Sequence, residues 1–165
     1  MKIIFEPKTY KVVKGAILLI AVAMVAYVAY AATTITASNT VTITPANGIG
    51  VSITLTNPTT CPAVSNPSYQ TGSFTNPNAW TIPAGGSGVQ YFCLENTGTG
   101  TDATPSITMG ATSGVTCTTA PCLSLTTAPT TIPPIPPSTV SSPVAVTVSS
   151  TASAAGSGTF SITVT

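Results

Sequence analysis

The chain has 165 residues, of which 4% are charged, with a formal net charge of +1 and no histidine. Lys2, Glu6, Lys8, Lys11 and Lys14 crowd the start, and after them only Glu95 and Asp102 carry charge. A domain without cations does not neutralise phosphates, which excludes nucleic acid as a partner. It lacks the His, Cys and carboxylate clusters of a metal site, so no metal or cofactor is expected. Glu95 and Asp102, read as solvated loop carboxylates, give acid–base chemistry too little to work with, so the chain is not read as an enzyme.

Low charge does not here mean disorder. Disordered chains are poor in β-branched residues, whereas 33 of these residues are Thr and many others are Val or Ile, types that suit a pleated surface. A Thr surface solvates through hydroxyls and changes little with pH or salt. Composition therefore predicts a threonine-rich domain exposed to a harsh exterior.

The N-terminus reads as a targeting segment. A basic stretch, residues 1–14, precedes an uncharged apolar run from Ala16 to Ala32. Ala29-Tyr30-Ala31 supplies the small residues of a signal-peptidase site, with cleavage before Ala32. At 1.5 Å per residue a helix over residues 16–32 spans about 25 Å, against a hydrocarbon core of about 30 Å. Length therefore leaves residues 1–31 as either a signal peptide or a retained anchor. Lys14-Gly15-Ala16 also resembles the processing site of archaeal type IV pilins and archaellins. That resemblance implies a mature chain starting at Ala16, with residues 16–32 as a filament-core helix.

From Thr33 the pattern changes to period 2: Ile35, Ala37, Val41 and Ile43 share one face, with mainly Thr on the other. Thr33–Thr44 is thus expected as one strand, in an N-terminal segment of residues 32–46 ahead of a domain of residues 47–165. Asn47-Gly48 marks a turn, and Gly50–Asn57 alternates through Val51, Ile53 and Leu55. Residues 57–88 are rich in Asn-Pro and Gly turns, with short strands at Ser73–Thr75 and Ala79–Ile82 and Trp80 as a core anchor. Val89–Glu95 is the most apolar strand and is expected to be central. Further strands are expected at Thr104–Met109, with Ile107 and Met109 inward, at Cys122–Leu125, at Pro143–Ser149 and at Thr159–Thr165. The Pro-rich segment Thr131–Ser138 cannot join a ladder, and Ala154–Gly158 reads as a turn. About eight strands and no soluble helix pattern predict an all-β fold. It is a jelly-roll or immunoglobulin-like β-sandwich preceded by an N-terminal hydrophobic helix.

Cys61, Cys93, Cys117 and Cys122 permit three pairings, and export predicts oxidation. Cys117 and Cys122 can close a small loop around Pro121, which leaves Cys61–Cys93 to tie the loose 57–88 segment to the central strand. No C-x₂-C spacing suggests zinc. Asn57 and Asn66 are each followed by Pro, so N-glycosylation at the standard motif is not expected.

Cleavage before Ala32 would free an uncharged, alternating strand whose edge groups seek a partner. Such a strand can complete the sheet of the next subunit, and head-to-tail repetition gives an open filament. The span Asn39–Asn57 resembles the opening of TasA/camelysin-type biofilm fibre proteins. So does Ile82–Gly98, with its apolar-Pro-Gly, strand and Asn-x-Gly pattern. Archaeal bundling pili and thread filaments resemble that family in fold. The resemblance covers about residues 32–110 and implies a secreted subunit that polymerises with itself through a donor strand at Thr33–Thr44. No residue is implied to be catalytic. The membrane is then met only through residues 16–32, before processing.

Overall fold

β-branched and apolar residues alternate with Thr and Ser along much of this chain, and the segments that alternate form the strands. The computed structural model describes residues 34–37, 42–45, 48–115, 117, 120–151 and 156–165, and Thr34–Thr165 make one compact unit. The expected hydrophobic helix over residues 16–32 lies outside the described residues. Among the described residues there is no helix, and so none long and apolar enough to cross a membrane.

The strands are β1 (Thr34–Ala37), β2 (Thr42–Pro45), β3 (Ile49–Thr54), β4 (Phe74–Thr75), β5 (Trp80–Pro83), β6 (Ser87–Asn96), β7 (Ile107–Ser113), β8 (Leu123–Ala128), β9 (Thr139–Val140), β10 (Val144–Ser150), β11 (Gly156–Ser157) and β12 (Thr159–Val164). One sheet runs β3-β6-β10-β8, with β9 also on β6; a second runs β4-β2-β12-β7; a third runs β11-β1-β5. Every pairing is antiparallel except β1 with β11 and β2 with β12.

The inner faces meet in one core. Along β10, Val144, Val146 and Val148 are buried while the residues between them are half-buried. Along β12, Phe160, Ile162 and Val164 do the same. Trp80 and Ile82 of β5 and Phe92 and Leu94 of β6 complete the cluster. Each such side chain contributes about 1.5–3 kcal/mol by leaving water. The rings of Trp80 and Phe160 meet edge to face with centroids 5.8 Å apart, an arrangement worth about 0.5–1.5 kcal/mol beyond area. This β-sandwich-like, all-β fold agrees with the expectation from alternation.

Four departures have physical reasons. Twelve strands form where about eight were expected, because two-residue strands such as β9 and β11 exist only through the backbones beside them. Gly156 and Ser157 were expected in a turn, but they pair with Ile35 and Thr36. β7 runs on through Gly110 to Ser113, because β12 offers a partner along that length. The Pro-rich segment stays out of the ladders, yet it is not merely exposed. Ile132 and Ile135 are buried, and Ile135 exchanges both backbone hydrogen bonds with Ala103 at 2.7 and 2.9 Å. An extended Pro-rich chain repeats about every three residues, so two isoleucines three apart can face the core while the prolines face out.

Phe160→Ala removes the ring that meets Trp80 and is expected to lower stability by about 3–5 kcal/mol, read from the midpoint of chemical denaturation at unchanged m-value.

Candidate functional site: the N-terminal strand and its slot

β1 and β2 carry the N-terminal alternation into the fold. Ile35 pairs with Ile82, and Ala37 with Trp80; Ile43 pairs with Phe74 on one side and with Ile162 on the other. The antiparallel register is the same at both ends. Ile43 lies nine residues after Thr34, and Phe74 lies nine residues before Thr34's partner Pro83. β1 on β5 and β2 on β4 therefore share one antiparallel register. On the opposite flank, β1 and β2 run parallel to β11 and β12 in turn, with a two-residue shift in offset between them. The N-terminal segment is thus an inner strand in both of its sheets, with neighbours on each side.

The expected single strand from Thr33 to Thr44 is described as these two pieces. Ile35, Ala37 and Ile43 stand at paired backbone positions. Thr33, Val41 and the cleavage-site residues Ala29, Ala31 and Ala32 lie outside the described residues.

One wall of the slot, residues 74–83, is held by polar groups the sequence reading passed over. Asn76 is buried, and its Nδ2 donates to the Gln90 Oε1 at 2.8 Å. The Gln90 Nε2 donates to the carbonyls of Asn78 and Ala79 at 3.2 and 3.3 Å. The Asn78 N–H donates to Asn76 Oδ1 at 2.9 Å. Gln90 belongs to β6, in the facing sheet, so this cluster bolts the link between β4 and β5 to the opposite layer. The sequence did hold a signal. Gln90 is the polar residue at an inward position that it shares with Phe92 and Leu94. The Trp80 indole N–H, on the same wall, is buried with no hydrogen-bond acceptor among the described residues.

The outer face of β3 and β6 is covered by residues 57–70. Disulfides join Cys61 to Cys93 and Cys117 to Cys122, with S–S distances of 2.04 and 2.10 Å. Under the first of these loops lies Glu95. It was expected as a solvated carboxylate and is instead 4% exposed, accepting the Ser65 N–H at 2.7 Å. The reason is tertiary: β6 continues past the disulfide, and the stapled loop closes over its end. Asp102 is exposed, as expected. Gly50 permits the close fit, since a Cβ there would lie 3.1 Å from Tyr69 Cβ and 3.3 Å from Glu95 Oε2. The Tyr69 hydroxyl donates to the Pro62 carbonyl at 2.9 Å. Burial first, and the Glu95 charge second, push its pKa up to about 12.

Three shallow grooves, of about 390, 370 and 300 Å³, have no charged side chain in their linings. The first lies between β3 and β4 and is lined by Val51, Ile53, Phe74 and Pro77 among others. Among the described residues no group of three or more His, Cys, Asp or Glu could hold a metal ion. Trp80 and Tyr69 are buried and Phe74 and Tyr91 half-buried, so these rings do not form an exposed aromatic row. No protein-family model matches the sequence, and no curated protein or solved structure matches it significantly.

Gln90→Ala strands the buried Asn76 amide and two carbonyls. A loss of about 1–3 kcal/mol is expected, with faster amide exchange confined to residues 74–83. The raised pKa of Tyr69 fixes a second outcome. The folded chain keeps a proton that the unfolded chain releases from about pH 10 upward. That stabilisation is whole below the unfolded value and is lost as pH rises through the folded one. Ultraviolet titration should show Tyr69 ionising late, and Glu95→Gln should bring it down only partly, because burial is the larger cause.

Proposed function

We propose that this protein is the structural subunit of an extracellular filament, a pilus or thread serving adhesion or biofilm cohesion. Its subunits join by donating the N-terminal strand, so its principal partner is another copy of itself. The single observation that carries the reading is the placement of β1 and β2. Each is an inner strand of its sheet, with β5 or β4 on one flank and β11 or β12 on the other. They also come directly after the apolar run. A strand in that position completes the fold wherever it comes from, because its contribution is mostly backbone pairing. The two disulfides are compatible with a secreted protein. The scarcity of charge after residue 14 removes long-range repulsion between copies. A jelly-roll or immunoglobulin-like connectivity, and kinship with TasA/camelysin-type and archaeal thread subunits, belong to the same reading.

Pairing of the strand within its own chain favours a second reading. A sandwich complete in itself can serve as a surface or viral envelope domain held to a membrane by residues 16–32. The N-terminal residue of the protein taken from the cell surface separates these readings, by intact mass or Edman sequencing. A start at Ala32 or Thr33 is expected for strand donation, and deletion of Thr33–Thr44 should then abolish polymers. A start at Ala16 would indicate a pilin-like helical core instead. An intact Met1 would overturn the strand-donating filament in favour of the anchored domain.

A further inference from the structure

We infer that the free subunit is latent, its donor slot already filled by its own β1 and β2, and that assembly exchanges these strands for the same strands of a second copy in the same register. The inference rests on the filament reading and specifies the state from which polymerisation starts.

The pairing pattern points to exchange. β1 and β2 each have a neighbour on both flanks within the chain, so among the described residues the slot is occupied. An incoming strand meets a site already occupied by an equivalent one. β1 and β2 pair with three parts of the chain: residues 74–83, β11 and β12. All lie far along the chain, so none depends on the segment belonging to the same molecule. The covalent tie is short. β2 ends at Pro45, and the body resumes at Gly48, whose carbonyl accepts the Thr97 N–H at 2.8 Å and whose φ is +84°. That positive φ suits glycine, and the bond fixes the point from which the strand departs. β2 lies in the sheet of β12, whereas β3, on the far side of the tie, lies in the facing sheet. Neighbours in the chain thus serve different sheets, so β2 can leave its sheet while β3 stays in its own.

Exchange of an identical element between copies keeps the same contacts and costs little. The closed and exchanged states then differ chiefly in the path of the tie and in concentration, and the release of a doubly flanked strand sets the rate. Orientation follows as well. The strand must run parallel to β12 and antiparallel to residues 74–83. Each copy gives one strand and receives one, which produces an open chain of a single polarity when the copy that gives is not the copy that receives and the rotation between copies does not close.

The test uses the secreted protein and the backbone partners Thr36 and Thr81. A chain carrying both Thr36→Cys and Thr81→Cys, oxidised as a monomer, is expected to be locked closed and to lose polymerisation, while each single variant still polymerises. Polymers grown from a mixture of the two single variants and then oxidised should yield cross-linked dimers joining one chain of each kind. If polymers form but no such inter-chain link appears, and the locked chain polymerises like the parent, the strand stays at home and the inference is overturned. If the unmodified secreted protein gives no polymer at any concentration, the filament reading itself fails and takes this inference with it. If the native chain polymerises as fast as it is diluted from denaturant, with no slow phase from the folded state, exchange in register can stand but latency does not.

Discussion

Everything else in this molecule depends on the double flanking of β1 and β2. Without them, residues 74–83 lose their antiparallel partner and the last strand loses its parallel one. Two sheets then acquire open edges at once, and open edges of uncharged chain are adhesive. The fold has no charged side chain along those edges to blunt them. Its integrity therefore rests on a segment that enters from the extreme N-terminal side and is joined to the body by a short tie.

The polar groups that are buried serve the same geometry. Asn76 and Gln90 fix the wall of the slot to the facing sheet through three hydrogen bonds, and a fourth, from the Asn78 N–H to Asn76 Oδ1, braces the wall itself. Asn96 secures the other end of β6, donating to the carbonyls of Thr101 and Ile135 at 2.9 Å and accepting the Gly98 N–H. Glu95 receives the backbone of the disulfide-held loop. A buried polar group is tolerated when it is bonded and costly when it is not, so these side chains specify one arrangement of strands. A domain nearly free of ion pairs is left with amides, disulfides and packing to do this.

Much of the architecture was legible in the residues themselves. β10 and β12 alternate without exception, and the structure buries the apolar set of each. The disulfide pairing could be favoured from the short loop between Cys117 and Cys122 alone. What failed did so for definite reasons. Glu95 was read as a solvated loop group because sequence gives a charge its usual place on the surface, and only the loop folded over β6 changes that. Gly156 and Ser157 carry no strand signal, since their pairing is imposed by β1. The role of Asn76 depends on Gln90, fourteen residues away, and no local pattern joins them.

The sequence by itself determined the class of the fold and the scarcity of charge along it. It also determined that the segment after the apolar run is a strand. Each of these is a property of composition or of period-2 spacing, and both are local. Only the tertiary structure decided which segments flank that strand, in what register and direction, and which polar side chains hold the slot open to it. Strand partners are chosen by long-range packing, among many segments of nearly equal Thr-rich character, and that choice exists only once the chain has closed on itself.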